Sequence, residues 1–216
     1  MKRLSRKDTL PARQFALDII SFWRSILNDK YRFAERLVGS AKWNTVIKSD
    51  DGFWDVDYQL LFTKNSKEYK SNGLKHATDI KNDFFYSLSE RYKENRDYIV
   101  QNSTTAITLI NKKDKFSVDF VLIRLFPENH EIIRRNNKRE TNTTNEYCWN
   151  ELPKYKEAYK NFRKLKGTEK VELIGNYILP RKVKEKKKDE NDITKKSSSE
   201  VFVEEVNNYV ARKRNH

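Results

Sequence analysis

The sequence predicts an α+β fold in which a small, mixed and twisted β-sheet is flanked by helices. Two kinds of pattern carry this prediction. Residues 54–62 and 116–125 are apolar runs of strand length, in which successive side chains would point to opposite faces of a sheet. Residues 9–29 and 74–96 repeat apolar side chains at the i, i+3, i+4 and i+7 spacing of a helix that packs on a core.

The length and composition are those of a globular domain, alone or with an accessory helical part. The 216 residues include 12% aromatic side chains, enough to build a core although 35% of the residues are charged. No apolar run approaches the roughly 20 residues that cross a bilayer, and no apolar stretch of a secretion signal follows the basic N-terminus. The single cysteine, Cys148, cannot form an internal disulfide, which favours a reducing, cytoplasmic location.

The excess of positive charge indicates anionic partners. A formal net charge of +14 and a pI near 9.6 favour nucleotides, nucleic acid or an anionic membrane surface. A solvated basic surface without such a partner is the alternative, and charge alone does not separate the two. If the partner is a nucleic acid, the basic surface is where RNA or DNA would contact the protein, and we expect no membrane association.

The predicted elements in the first part of the chain lead to a strand with two acidic residues. A helix over 9–29 begins with the Thr and Pro signals of a helix start. The chain then reaches a turn at Gly39–Ser40, and residues 41–45 form a short helical turn beside it. Small residues at such a turn let backbone N–H groups approach phosphate oxygens. The strand over 54–62 follows.

The next predicted elements are a long helix and a hairpin. Residues 64–73 form a polar connection to the helix over 74–96. The β-branched run at 104–110 is the first strand of the hairpin, 111–114 is its turn, and 116–125 returns as the partner strand.

The sequence divides into a predicted core, residues 1–126, and a predicted C-terminal part, residues 127–216. The C-terminal part combines a basic loop with short helices. Its predicted elements are, in order, an irregular basic loop over 127–144, a helix over 149–166, a segment over 171–179 that is either helix or strand, a mobile lysine-rich loop over 181–199, and a last helix capped by the serines 197–199.

Three aspartates are the candidate chemical groups. Asp55 and Asp57 point to the same face of their strand because side chains at i and i+2 do so. Two carboxylates on one face of an apolar strand repel each other, and a hard divalent cation with oxygen ligands relieves that repulsion. Asp119 stands among apolar neighbours in the return strand of the hairpin. With Gly39–Ser40 upstream, the set predicts a metal–triphosphate site.

The order and spacing of these residues resemble the DNA polymerase β-type nucleotidyltransferase superfamily. That pattern is an apolar residue and Gly-Ser, then Asp-x-Asp on a strand, then a further acidic residue on a later strand. Val38, Gly39–Ser40, Asp55–Asp57 and Asp119 fill it, with fourteen residues between Ser40 and Asp55. The Gly-Ser segment and the hairpin are similar to the branch of oligoadenylate synthases and bacterial cyclic-oligonucleotide synthases, although Asn44 stands where that branch has a glycine.

The resemblance implies a fold with a nucleotidyltransferase-type core and a metal-dependent reaction. Asp55, Asp57 and Asp119 would bind two Mg²⁺ ions, or Mn²⁺ in their place, and Asp119 would help to deprotonate the acceptor hydroxyl. Gly39 and Ser40 would bind the β- and γ-phosphates of a nucleoside triphosphate, and pyrophosphate would leave. The product would be a cyclic or linear oligonucleotide that acts as a second messenger.

Two alternatives stay open at this stage. The first is a nucleotidyltransferase that modifies an RNA or tRNA 3′ end or a protein, which the basic surface supports because phosphate contacts give sequence-independent affinity. The second is a non-catalytic nucleic-acid-binding module. The intact set of three aspartates argues against the module, since unneutralised carboxylates would repel the phosphates that it binds.

Overall fold

The computed structural model of the chain describes residues 1–62, 76–126, 130–136, 146–152, 155–189 and 192–214. Helices and strands are mixed along it. The strands are β1 (Lys2–Arg3), β2 (Phe33–Val38), β3 (Ile47–Lys48), β4 (Trp54–Phe62), β5 (Tyr98–Asn102), β6 (Ala106–Asn111), β7 (Phe116–Leu125), β8 (His130–Arg135) and β9 (Tyr147–Glu151). The helices are α1 (Leu10–Leu27), α2 (Gly39–Trp43), α3 (Ala77–Tyr92), α4 (Lys156–Lys164), α5 (Gly167–Leu173), α6 (Leu179–Lys186) and α7 (Ser198–Arg214), and one π-helical turn (Ile174–Ile178) joins α5 to α6.

A seven-stranded mixed sheet forms the centre of the described structure. Five of its strands follow the order β2-β4-β7-β6-β5, and β8 pairs with β7 and with β9. The β4–β7 pair is parallel, whereas the other pairs are antiparallel. The short strands β1 and β3 pair separately. The predicted α+β class, with a mixed sheet flanked by helices, is confirmed.

One face of the sheet is covered by α1 and α3. Trp23 of α1 is fully buried, its ring contacts Phe84 of α3 and Phe120 of β7, and its indole N–H donates to the Phe84 carbonyl at 3.1 Å. Alternate residues of β4 and β7, such as Val56 and Val118, are fully buried on this face. Because alternation sends the intervening residues to the other face, Asp55, Asp57 and Asp119 lie on the side away from this core.

A second apolar cluster connects the C-terminal helices to the end of α2. Phe162 of α4 and Phe202 of α7 are buried in it, with Leu173 and Ile178 between them in the chain. Trp43 of α2 packs against this cluster, with its ring centroid 5.0 Å from that of Phe162 and 5.6 Å from that of Phe202. The C-terminal helices are therefore held next to the Gly39–Ser40 segment.

Two predictions for the C-terminal part are wrong in part. Residues 130–135 of the predicted loop over 127–144 form a strand, and the helix predicted over 149–166 begins only at Lys156. His130–Arg135 forms β8, which pairs with β7, and Tyr147–Glu151 forms β9, which pairs with β8. A long polar run between the two strands hides this hairpin in the sequence. The buried side chains of Ile132 and Ile133 and a ladder to β7 stabilise β8 in the fold.

The predicted mobile loop over 181–199 is wrong at its start, where residues 181–186 belong to α6. The difference arises because Lys182 and Glu185 are buried through contacts that no local pattern shows. Lys182 donates to Ser40, and Glu185 accepts from the backbone N–H of Lys196. The segment over 171–179, open between helix and strand, is helical. The last helix is confirmed as α7. The polar connection predicted for 64–73 and the start of the helix predicted from residue 74 lie outside the described residues.

No helix within the described ranges combines the length and the apolar character that crossing a membrane requires.

Candidate active site

The structure brings the three predicted aspartates together on the face of the sheet opposite α1 and α3. Asp57 of β4 is the register partner of Asp119 of β7, and Asp55 lies two residues before Asp57 on the same face. The Thr108 hydroxyl of β6, directly opposite Asp119, donates to its Oδ1 at 2.6 Å. The parallel pairing of β4 with β7 thus joins residues that are 62 positions apart in sequence.

The electrostatics of this face favour a bound cation. Burial raises the pKa of Asp57 well above its usual value, and the neighbouring charges of Asp55 and Asp119 raise it further. Burial also raises the pKa of Asp119, against the hydrogen bond from Thr108 and together with the charge of Asp55. Keeping these carboxylates ionised therefore costs free energy, and a cation bound between them would remove that cost.

The residues present fit Mg²⁺ that binds together with a substrate. In the described part of the chain, no three acidic, histidine or cysteine side chains form a complete metal-ligand cluster by themselves. Mg²⁺ does not require one, because it usually takes one or two carboxylates and completes its shell with water and substrate phosphates. The aspartates supply the hard oxygen donors of such a site, and the remaining ligand positions are left for phosphate oxygens.

The Gly39–Ser40 segment lies directly against Asp57. Val38, the last residue of β2, pairs with Asp57, and Gly39 begins α2 with φ +60°. A Cβ atom at position 39 would stand 1.9 Å from Asp57 Oδ2, closer than any real contact. Only glycine gives both the left-handed backbone and the space that this carboxylate occupies.

We expect Gly39→Ala to impair both folding and nucleotide binding. The left-handed backbone alone costs a residue with a Cβ about 1–2 kcal/mol, and the overlap with Asp57 must displace the carboxylate or the backbone. The melting temperature and nucleotide binding measure the two effects. Gly167→Ala at the start of α5 is the matched control, because nothing lies within 4 Å of its added Cβ. Equal behaviour of the two variants would contradict this account.

Two lysines of α6 complete the site, and the sequence did not single them out. Lys182 is buried, and its Nζ donates to Ser40 Oγ at 2.6 Å and to the Thr45 carbonyl at 2.9 Å. Lys186, one helical turn later, has its Nζ 4.0 Å from Asp55 Oδ1 and donates to the Ile47 carbonyl at 3.2 Å. The i, i+4 spacing places both on one face of the helix. That spacing is the one sequence pattern by which these two lysines could have been found, and it occurs often in a lysine-rich segment.

Lys182 loses its proton at a lower pH than an ordinary lysine does. Burial lowers its pKa to about 8, while the charge of Asp55 opposes this shift and that of Lys186 adds to it. A phosphate group beside Ser40 would add negative charge to that of Asp55 and Asp57, and it would raise the pKa of Lys182 again.

Comparison with solved structures shows a shared fold. A STING-associated CdnE c-di-GMP synthase from Capnocytophaga granulosa matches 95% of this chain and 61% of its own at TM-score 0.59 and 18% identity. The cyclic AMP-GMP synthase DncV of Vibrio cholerae, in complex with a linear intermediate, matches 83% of this chain and 47% of its own at TM-score 0.58 and 15% identity. The CD-NTase CdnG of Bradyrhizobium diazoefficiens with GTP matches 74% and 43% at TM-score 0.53 and 14% identity.

These similarities confirm the predicted resemblance at the level of the fold. The chain spans 43%, 61% and 47% of the CdnG, CdnE and DncV chains, less than two thirds in each case. No protein-family model matches the sequence, and no curated protein matches it in sequence.

Proposed function

We propose that the chain is a nucleotidyltransferase, like the synthases whose fold it shares, and that it transfers a nucleoside monophosphate from a nucleoside triphosphate to a hydroxyl group. The product would be a cyclic or linear oligonucleotide, and pyrophosphate would leave. The observation that carries the proposal is the contact of buried Lys182 with Ser40 beside the aspartate pair of β4 and β7. The proposal is supported because a buried cation, a hydroxyl group and carboxylates lie near one another there, and these are the groups that a metal-bound triphosphate needs.

The donor nucleotide would bind with its β- and γ-phosphates between α2 and α6. Lys182 holds the Ser40 hydroxyl at 2.6 Å, so both groups are already directed to the same place. Lys186 lies farther along α6, near Asp55, where it would meet a phosphate close to the aspartates. Charge-assisted hydrogen bonds of this kind are shorter and stronger than neutral ones, and they orient the leaving pyrophosphate.

Asp55, Asp57 and Asp119 would hold Mg²⁺. When bound, the ions supply charge stabilisation for the attacking oxygen and for the leaving oxygen of an in-line displacement. The carboxylates lie on one face of the sheet, and the register of β4 and β7 fixes Asp57 beside Asp119. The hydrogen bond from Thr108 fixes the orientation of the Asp119 carboxylate.

Asp119 is the residue to which we assign the proton of the acceptor hydroxyl. Burial raises its pKa, which brings a carboxylate closer to the range in which it works as a general base. As the proton moves to Asp119, the hydroxyl oxygen forms a bond to the α-phosphorus, and the bond from that phosphorus to the bridging oxygen of pyrophosphate breaks. The electron pair of the broken bond leaves with pyrophosphate.

Incubation of the purified protein with labelled nucleoside triphosphates and Mg²⁺ or Mn²⁺ tests the proposal. We expect pyrophosphate together with a small, phosphatase-resistant nucleotide product. Label transferred to added RNA or to the protein instead would support the macromolecular alternative. The absence of pyrophosphate with every nucleotide mixture would contradict nucleotidyl transfer as a whole.

A further inference from the structure

The strand β1, which precedes α1, pairs with the segment that follows α2. Its two residues lie in antiparallel register with the two residues of β3. Leu4, which comes directly after β1, is buried, and its backbone N–H donates to the Val46 carbonyl at 3.0 Å. The residues before α1 are therefore held beside the residues that connect α2 to β4.

Arg3 adds a side-chain contact to this strand pairing. Its Nε and Nη2 atoms donate to the Asn44 carbonyl at 3.2 and 3.0 Å. Asn44 ends α2 with a left-handed backbone of φ 57°, a conformation that costs free energy for a residue with a Cβ, although asparagine tolerates it better than most. The two hydrogen bonds from Arg3 therefore stabilise the peptide group that links Asn44 to Thr45.

The peptide group between Asn44 and Thr45 is fixed on both sides. Its oxygen accepts from Arg3, and its N–H donates to the Ser40 carbonyl at 2.9 Å. The next carbonyl group, that of Thr45, accepts from the Lys182 Nζ at 2.9 Å, and the same Nζ donates to Ser40 Oγ at 2.6 Å. One peptide group thus connects Arg3 to both residues that accept hydrogen bonds from Lys182.

The carbonyl groups of residues 44–47 are directed alternately to the N-terminal residues and to α6. The first and third accept from Arg3 and from the backbone of Leu4. The second and fourth accept from Lys182 and Lys186, at 2.9 and 3.2 Å. This alternation means that a shift of the segment on its β1 side also displaces the oxygen atoms that orient the two lysines.

We propose that Arg3 is a positioning residue of the donor site, which holds the peptide group between Asn44 and Thr45 so that Lys182 is directed at the phosphates of the nucleoside triphosphate. This inference rests on the proposed function, in which Lys182 binds the β- and γ-phosphates. Arg3 is exposed, and it acts through the peptide group rather than on the substrate. A lysine side chain carries about 2 kcal/mol of rotamer entropy, and fixed acceptors remove this freedom before the ligand binds.

Arg3→Met tests the positioning role, since it removes both hydrogen bonds and keeps an unbranched apolar side chain. We expect it to raise the KM of the donor about fivefold, the effect of one net hydrogen bond, and to leave kcat and the KM of the acceptor nearly unchanged. Arg3→Lys restores a hydrogen-bond donor and should recover most of the affinity. Arg6→Met, which removes an exposed arginine from the turn before α1, is the matched control and should behave as the wild type.

A double-mutant cycle shows whether Arg3 acts through Lys182. In the Lys182→Met protein, Arg3→Met should cause no further loss of kcat/KM for the donor, because the side chain that Arg3 positions is already absent. A fivefold loss in both backgrounds would overturn the inference. A lowered melting temperature with an unchanged donor KM would overturn it too, because a residue that only stabilises the fold gives that result.

A binding measurement separates this inference from the proposed function. Equilibrium dialysis with the α,β-methylene analogues of ATP and GTP, in the presence of Mg²⁺, measures the affinity for a triphosphate without any transfer. We expect Arg3→Met to raise the Kd of the analogue that binds about fivefold, and Arg6→Met to leave it unchanged. This result in a protein that releases no pyrophosphate would refute the transferase and leave the positioning role standing. Pyrophosphate release with the same Kd and the same donor KM in both variants would refute the positioning role alone.

Discussion

Replacing Asp57 by asparagine is expected to lower the rate of nucleotidyl transfer about a thousandfold. In the proposed site the Asp57 carboxylate holds Mg²⁺, and the bound ion lowers the activation free energy by several kcal/mol. The same change should raise the melting temperature of the metal-free protein. Burial and the charges of Asp55 and Asp119 all disfavour the ionised form of this side chain. Asparagine keeps its shape without its charge.

The gain in stability should depend on pH in a defined direction. The pKa of Asp57 in the folded chain lies well above its ordinary value of 3.8. Its contribution to stability is therefore fully present below pH 3.8 and is lost as the pH rises through the folded pKa. In EDTA, the difference in melting temperature between Asp57→Asn and wild type should be small near about pH 4 and larger near about pH 8.

Added Mg²⁺ provides a further comparison. We expect Mg²⁺ with a nucleoside triphosphate to raise the melting temperature of the wild type and to have a much smaller effect on Asp57→Asn. Asp18→Asn on the exposed face of α1 is the matched control, and it should leave both activity and Mg²⁺ response unchanged. An Asp57→Asn protein that is less stable than wild type in EDTA would contradict the repulsion that we infer on this face.

Replacing Lys182 by methionine should lower kcat/KM for the donor about a hundredfold, since a hydrogen bond to a charged group contributes about 1.5–3 kcal/mol and Lys182 also holds Ser40. Methionine retains most of the volume in this buried position. Lys184→Met, an exposed lysine on the same helix, is the matched control. Equal activities of the two variants would remove Lys182 from the donor site.

The pH profile gives an independent test of Lys182. Its pKa is lowered to about 8, so the side chain is charged below this pH and becomes neutral above it. Since kcat/KM reports the ionisation of the free enzyme, donor use should decline as the pH rises through about 8. Lys182→Arg keeps its charge and should lose this decline. A decline that persists unchanged in Lys182→Arg would have another cause.

The sequence was sufficient for the parts of the fold that repeat a local pattern. Residues 54–62 and 116–125 form strands with the predicted bounds, because their alternation is strong and uninterrupted. The same alternation placed Asp55 and Asp57 on one face. The hairpin of β8 and β9 escaped prediction because each strand is short and a polar run precedes β9 in sequence. Its stability comes from pairing with β7, a contact that no local pattern encodes.

The aspartates could be found from the sequence because each one interrupts an apolar strand, where an unpaired carboxylate is costly. Lys182 could not be found in this way. The segment over 181–199 contains many lysines, so the sequence does not distinguish this one from the others.

The sequence by itself determined the two long strands over 54–62 and 116–125, the main helices and the three aspartates of this protein. In each of these segments the burial of an apolar face shows as a regular spacing of neighbouring residues. Only the tertiary structure decided which cations surround those aspartates. Lys182 meets Ser40 across 142 positions, and the contact depends on α6 packing against the start of α2. Electrostatic interactions depend on distance in space, and folding alone sets that distance for residues far apart in the chain.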